Sequence, residues 1–326
     1  MSSPLVSMVI PGKDAAATVG STLQSVAAQG LTRDELEVIV INDGSTDDMS
    51  AVVREYTSSL SIDLVEHAEA RGVSAARNEG IRRANGRYIT FLDSDDWYGK
   101  GHLRNLVDTI SRLEVDWVKA DYVVANGQVR RIVQAPCALR NTPLDPRDYI
   151  NPINTSSMVD FPNVWSGIYR TDLRDRGLLF FDESLRTSED RLMTWGLHLG
   201  TTSFAVATSH NMFYRKGSST SLTGVFDERQ LDFIRAFRLM FDLVEREGVY
   251  EEFGVKVARS FLGILHYQRA NRFDSMDHGV RDRLKRESVA LLEHIPARIT
   301  AAALVGFGDK RIRVLKPVLH QAGVSL

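Results

Sequence analysis

Three carboxylates fall within four positions at Asp93-Ser94-Asp95-Asp96, directly after the strand-forming run Tyr88-Ile89-Thr90-Phe91-Leu92. A buried strand that ends this way delivers acid groups to the edge of a sheet. Carboxylates so close raise one another's pKa unless a cation sits among them, and a hard divalent ion with oxygen ligands, Mg²⁺ or Mn²⁺, meets that need. A plainer alternative stands beside it. Asp and Ser are also favoured in polar turns and caps, here ahead of a helix that starts near Lys100. A calcium loop of the EF-hand kind fails, because its sixth and twelfth positions require Gly and Glu and hold Tyr98 and Arg104.

The elements that must position these acids follow from hydrophobic periodicity. Leu5 to Pro11 reads as a strand and Ala15 to Gln29 as a helix, with Val19, Leu23, Val26 and Ala27 on one face. Glu37 to Ile41 is a second buried strand, and it runs into a second polar cluster, Asn42-Asp43-Gly44-Ser45-Thr46-Asp47-Asp48, ahead of a helix from about Thr46 to Leu60. Ile62 to Val65, Gly72 to Ala84 and Arg87 to Leu92 repeat the alternation as strand, helix and strand. The pattern predicts an α/β fold, with a mostly parallel central sheet flanked by helices. Ligands of such sheets bind outside the carboxyl ends of the strands, so Asp43 and Asp93 are expected to share one crevice.

Further on, Val115 to Val124 and Val129 to Val133 read as strands joined by the turn signal Ala125-Asn126-Gly127-Gln128. Pro136 to Pro162 is rich in Pro, Asn and Thr and reads as a loop-dominated segment. Thr171 to Arg176 is a short helix. Another opens at Thr187-Ser188-Glu189-Asp190 and runs to about Leu199, with Ser188 as its N-cap and two acids in its first turn. Strand-like residues return at Asn211 to Arg215. From about Phe226, apolar residues such as Leu231, Ile234, Phe237 and Leu243 recur at helical spacing. Residues 1–224 are therefore expected to form the ligand-binding domain and 225–326 a helical C-terminal region. Its last segment, Lys310-Arg311-Ile312-Arg313-Val314-Leu315-Lys316, is a basic amphipathic patch, read either as a solvated helix face or as a contact for anionic lipid or polymer.

With 326 residues and 43% hydrophobic content, the chain can bury a sizeable core, and a net charge of −2 gives no global signal for nucleic acid. Cys137, the single cysteine, excludes an internal disulfide and a cysteine metal cluster and suits a reducing compartment. No run of about 18 apolar residues occurs and no signal peptide is read at the start, so a cytoplasmic protein is expected.

Val6-Ser7-Met8-Val9-Ile10-Pro11, Val40 to Asp47, Ala76-Arg77-Asn78-Glu79-Gly80, Phe91 to Asp96 and Ser188-Glu189-Asp190, in that order, resemble the motifs of glycosyltransferase family 2, the inverting enzymes of GT-A fold. The resemblance covers roughly residues 5–220. Ile168-Tyr169-Arg170-Thr171 and Ser188 to Leu192 are further similar to the wall-teichoic-acid glycosyltransferases. The resemblance implies a UDP-sugar donor and a divalent metal, Mn²⁺ or Mg²⁺, bound through the Asp93 and Asp95 of a D-x-D motif, with Asp93 and Ser94 beside the nucleotide. The ion would act as a Lewis acid on the diphosphate. Asp43 would accept a hydrogen bond from the uracil N–H, with Pro11 and Asp14 nearby. Arg77, and Arg71 as a neighbouring candidate, would contact the diphosphate or uracil, the planar guanidinium fork suiting phosphate oxygens. Gly12-Lys13 departs from relatives that carry an aromatic or Thr-aromatic pair there, which counts against ring stacking on the uracil from this loop.

Asp190 is the implied general base, supported by Glu189, because a base must stand apart from the metal-bound acids and face the acceptor hydroxyl. Both also suit a helix N-terminus, at about 0.3–1 kcal/mol each. His210 is a candidate third metal ligand or else a surface histidine. Arg215, Lys216, Ser218 and Ser219 lie in a polar loop that either closes over the diphosphate or is ordinary surface. Trp165 would stack on a sugar or pack in the core.

The implied activity is transfer of a hexosyl or N-acetylhexosaminyl unit from a UDP-sugar to a hydroxyl of a glycan or bacterial cell-surface polymer such as a cell-wall polysaccharide. The alternatives are a nucleotide-sugar-binding module without turnover and a nucleotidyltransferase, the latter disfavoured because Gly12-Lys13 is too little for its Gly-rich basic loop. A dinucleotide-binding oxidoreductase is disfavoured for want of a G-x-G-x-x-G after the first strand. No nucleic-acid partner is expected. The C-terminal helices are open to peripheral contact with the inner face of a membrane, to polymer binding or to homo-oligomerisation.

Overall fold

The computed structural model describes residues 3–217 and 227–324. The chain divides into two compact units, one made of Met1–Pro146, Pro162–Ser184 and Gly200–Ser221, the other of Arg147–Phe161, Leu185–Leu199 and Leu222–Leu326. The expected division between 224 and 225 lies outside the described residues.

The first unit is built on one sheet. It holds β1 (Val6–Gly12), β2 (Leu36–Asn42), β3 (Ser61–Glu66), β4 (Tyr88–Phe91), β5 (Trp97–Tyr98), β6 (Trp117–Asn126), β7 (Val129–Val133), β8 (Gly167–Arg170) and β9 (Phe204–Lys216). The spatial order is β3-β2-β1-β4-β8-β6-β9-β5, with β7 paired to β6. Among the first four strands every ladder is parallel; beyond them β8 runs antiparallel to both β4 and β6, and β6 pairs parallel with β9. Helices α1 (Ala16–Ala27), α2 (Met49–Arg54), α3 (Val73–Arg83), α4 (His102–Leu113) and the single turn α5 (Asp172–Asp175) belong to this unit.

β1 is buried along its whole length, as a strand covered on both faces requires, and its run is apolar but for Ser7, whose hydroxyl meets Glu37. Pro11 is tolerated in this central strand for a positional reason. The Val9 carbonyl accepts the Leu92 N–H at 3.1 Å, so Val9 and, two residues on, Pro11 turn their polar groups toward β4. The next donor in that ladder would be the N–H that proline lacks, and β4 pairs with β1 only as far as Phe91.

The sequence reading missed β8 and the first half of β9. β8 is four residues long, too short for alternation to show, and its partners lie about fifty to eighty residues away in β6 and β4. In β9 the register slips between the pairs Ala120↔Ala207 and Tyr122↔Met212, and the polar stretch Thr208-Ser209-His210 interrupts the apolar pattern there.

The second unit contains α6 (Glu189–Gly200, all but its last residue), α7 (Asp232–Arg246), α8 (Tyr250–Asn271), α9 (His278–His294), α10 (Ala297–Leu304) and α11 (Asp309–Gln321). Phe233 and Phe237 of α7 pack on Phe261 of α8 at 5.9 and 5.6 Å between ring centroids, and Trp195 of α6 joins the same core. Lys256, buried on α8, donates to Asp160 Oδ2 at 2.6 Å and to the carbonyls of Pro152 and Thr155, which ties the 147–161 segment to the helices. Among the described residues no helix is long and apolar enough to cross a membrane.

Candidate active site

The site is organised on Gly12, the last residue of β1. Its carbonyl accepts the Asp43 N–H at 2.8 Å. A Cβ on Gly12 would stand 2.9 Å from Ser94 Oγ and 3.0 Å from Ser94 Cβ, so glycine lets the turn after β4 approach this closely. The loops after β2 and β4 thus meet at the carboxyl end of β1, in the crevice that the strand alternation predicts.

Asp43 is 5% exposed and held by the chain itself. Its Oδ1 accepts from Arg71 N at 2.8 Å and lies 2.9 Å from His67 Nδ1; its Oδ2 accepts from Gly72 N at 2.8 Å. Gly44, at φ +70°, lets the 69–70 backbone press close, since a Cβ there would be 2.5 Å from Ala70 N. Arg71 therefore contributes its backbone to Asp43 while its side chain is exposed. Asp14, itself at φ +50°, ties this loop to β1: its Oδ1 accepts from Thr46 N at 2.7 Å and its own N–H reaches Ser45 Oγ. The Thr46 N–H holds the Asp14 carboxyl below its ordinary range.

The acid turn is closed by Asp96 N–H on the Asp93 carbonyl at 3.0 Å. A polar stripe on α1, continued by Gln29 two residues past its end, holds it. The buried Thr22 hydroxyl donates to the Asp96 carbonyl at 2.7 Å and lies 3.0 Å from that of Ser94, Ser25 Oγ accepts from Tyr98 N, and Gln29 bonds Gly99 and Leu103. Arg77, expected at the diphosphate or uracil, is buried under Phe181 and donates to Asp93 Oδ1 at 2.9 Å. Its charge offsets the crowding of the three acids.

Asp96 is fully buried. Its Oδ1 accepts from Arg215 N at 2.7 Å, and its Oδ2 has no hydrogen-bond partner among the described residues. Burial first, then the neighbouring Asp93 and Asp95, pushes its carboxyl well above the usual carboxylate range. Arg215 Nε also donates to the Asp95 carbonyl at 2.7 Å, and its guanidinium lies 4.7 Å from the centroid of the Trp97 ring.

Several expectations change in this light. Arg215 and Lys216 end a strand and are not loop residues, while Ser218 and Ser219 lie outside the described residues. His210 is not brought to the acids. It is exposed on β9, five residues before Arg215, and its neighbours Ser209 and Asn211 face His102 and Gly99. Trp165 is buried, stacked on Tyr214 with centroids 5.4 Å apart and edge-on to Tyr122, which is core packing. Glu189, buried, and Asp190 open α6 in the second unit. Ser188 precedes them at φ +66°, not in the extended backbone usual for an N-cap, and its carbonyl accepts from Arg191 N.

A metal fits the acid turn in one form only. Among the described residues no group of three or more His, Cys, Asp or Glu side chains is arranged to hold an ion by itself. The partly exposed Asp93 and Asp95 suit a Mg²⁺-like ion that takes one or two carboxylates and completes its shell with phosphate and water.

The family model described as glycosyl transferase family 2 matches residues 7–176, more than half of the chain, including Gly12, Asp43 and the acid turn. The chain belongs to glycosyltransferase family 2. Within the family it is 29% identical over 188 residues to the uncharacterized glycosyltransferase EpsJ of Bacillus subtilis (strain 168), covering 57% of this chain and 54% of that one. It is 24% identical over 324 residues to the poly(ribitol-phosphate) beta-N-acetylglucosaminyltransferase TarS of Staphylococcus aureus (strain MW2), covering 97% of this chain and 52% of that one. The chain spans about half the length of the curated relatives it matches. The crystal structure of S. aureus TarS 1-349 in complex with UDP-GlcNAc superposes with a TM-score of 0.76 at 21% identity, over 98% of this chain and 87% of that one. That likeness establishes the GT-A fold, a mixed central sheet flanked by helices with further helices after it. The mannosyltransferase PcManGT of Pyrobaculum calidifontis, in complex with GDP-Man and Mn²⁺, is a more distant match at a TM-score of 0.53 and 16% identity.

Proposed function

We propose that this family 2 chain is an inverting, metal-dependent glycosyltransferase that moves a sugar, N-acetylglucosamine or a related hexose, from a UDP-sugar to a hydroxyl of a glycan or bacterial surface polymer. The observation that carries this is the crevice at Gly12, where a carboxylate with both oxygens fixed, Asp43, and a turn of three acids meet at the end of one strand. Asp43, aimed by Arg71, Gly72 and His67, is suited to accept from a uracil N–H, with Pro11 and Asp14 shaping the loop beside it. Asp93 and Asp95, with Ser94 packed on Gly12, would hold the diphosphate through a divalent ion, which supplies Lewis-acid stabilisation of the charge that gathers on the leaving group. The TarS complex with UDP-GlcNAc and the PcManGT complex with Mn²⁺ are consistent with both parts.

Asp190, supported by Glu189, takes the base role in this scheme. The acceptor oxygen forms its bond to the anomeric carbon as the bond to the diphosphate oxygen breaks; UDP leaves with the electron pair and Asp190 receives the acceptor proton. The test is a screen of UDP-sugars that follows UDP release with Mn²⁺ present, run on the wild type and on Asp190→Asn. Transfer by the wild type, lost in Asp190→Asn while UDP still binds, is the expected result. Full turnover by Asp190→Asn removes that residue from the base role, and absence of UDP binding by the wild type overturns the assignment as a whole.

A further inference from the structure

In the second unit, an uncharged turn is followed by an unpaired row of cations. The chain from Ile299 to Gly308, which completes α10 and leads into α11, holds no charged residue, and Ala301, Ala302 and Val305 within it are exposed. Val305 is 67% exposed. Gly306 and Gly308, at φ +68° and +89°, bend the backbone on either side of Phe307, so the phenylalanine joins the core while the valine stays out.

Basic groups gather round this turn. Arg259 of α8 donates to the carbonyls of Ala303, Val305 and Gly306, and its guanidinium lies 4.6 Å from the centroid of the Phe307 ring, with that of Arg311 at 5.8 Å. Burial first, then the charge of Arg311, lowers the pKa of Arg259 and likewise that of His266 beside the same ring. Along α11, Leu315, Val318 and Leu319 are buried and Ile312 packs on the core, whereas Lys310, Arg313 and Lys316 recur at every third residue and are exposed. Asp309 is the one acid of that helix. Among the described residues, none of Arg259, Lys310, Arg311, Arg313 and Lys316 is paired with a carboxylate.

A merely solvated helix face mixes its charges, as α9 does through Arg283 and Glu287. Unpaired cations beside exposed apolar carbon call for a partner that supplies negative charge and also a place for the valine. The interface of an anionic bilayer supplies both, because headgroup phosphates meet the cations while Val305 and the side-chain stems reach the acyl boundary. A soluble polyanion answers only the charge. A second copy of this chain, docked face to face, would set the same cations against one another.

We propose that the turn between α10 and α11, with the basic face of α11, is a docking surface for an anionic lipid bilayer. Docking of this kind is reversible, since one valine and a few cations hold far less firmly than an inserted helix. It goes beyond the transferase reading, because it sets where the chain works and leaves the chemistry unchanged.

The full chain is sedimented with vesicles of mixed phosphatidylglycerol and phosphatidylcholine, and with vesicles of phosphatidylcholine alone. The wild type is expected to partition onto the anionic vesicles and not onto the neutral ones, and to be released as salt is raised. Each basic side chain near such a surface contributes about fivefold, so Lys310→Gln, Arg313→Gln and Lys316→Gln together should weaken binding about a hundredfold. Val305→Ser, at unchanged charge, should weaken it about fivefold. Urea midpoints separate lost docking from lost folding, and should the triple variant unfold early, the salt dependence and Val305→Ser decide alone. No partition of the wild type onto anionic vesicles, or partition that persists in the folded triple variant, overturns the docking surface. Equal vesicle binding by Val305→Ser and the wild type, with dextran sulfate displacing both, assigns the cations to a soluble polyanion and overturns the membrane role. A wild type that self-associates through this face and ignores vesicles, beside a monomeric triple variant, assigns it to a second copy and overturns it as well.

Discussion

Arg215 donates its backbone N–H to Asp96 Oδ1 at 2.7 Å, while its side-chain Nε reaches back to the carbonyl of Asp95. The end of β9 and the acid turn therefore hold each other, and the three acids divide their work. Asp96 is a buried strut; Asp93 and Asp95, partly exposed, are left facing the crevice. Thr22 fixes the same turn from the opposite side through the Asp96 carbonyl. An acid turn held from both sides in this way has its geometry set by the fold itself.

Replacing Asp96 by Ala leaves the buried Arg215 N–H without its acceptor, at a cost of about 1–3 kcal/mol. The urea midpoint should fall accordingly, and Mn²⁺-dependent UDP affinity should fall with it because Asp95 loses its frame. Asp96→Asn keeps an acceptor oxygen at that position and should restore most of the stability. Equal midpoints for Asp96→Ala and the wild type would remove the strut.

Asp95→Ala tests the ion directly. UDP affinity measured by calorimetry should drop about tenfold or more with Mn²⁺ present and change little with the metal chelated, since the lost carboxylate acts only through the cation. An unchanged affinity in Mn²⁺ sinks the metal assignment.

The parts of this architecture that could be read from the sequence are those in which one segment carries its own signal. β1, β2 and β4 are almost wholly buried and so appear as mainly apolar runs, and β2 and β4 each stop at a polar cluster that marks a carboxyl end. What escaped depends on partners distant in the chain. Thr22 and Ser25 of α1 and Gln29 just beyond it carry no signal of their own in the sequence; only the return of residues 94–103 onto them gives them work. His67 is a lone histidine after β3 until the fold sets it on Asp43, 24 residues earlier. Arg77, expected beside the diphosphate or the uracil, meets Asp93, 16 residues further along the chain, a pairing that no local pattern announces. β8 is a strand only because β4 and β6 leave a gap for it.

His102, the first residue of α4, supplies a pH test away from the site. It is fully buried against Tyr98, with Nδ1 2.9 Å from Ser209 Oγ and Nε2 without a partner among the described residues, and burial pulls its pKa from 6.5 down to about 3. The native ring therefore stays neutral where the unfolded chain takes up a proton. Below pH 6.5 that proton favours unfolding, so stability falls as the pH drops from 6.5 toward 3, by up to about 1.4 kcal/mol per pH unit from this group. Carboxylates titrate in the same range, so the comparison must be with His102→Gln, which removes only this term. The variant is expected to be less stable near pH 7. Between pH 6 and 4.5 the wild type should lose roughly 2 kcal/mol more than the variant, read from urea midpoints at each pH. Parallel stability curves for the two proteins would show that the imidazole accepts its proton in the folded state.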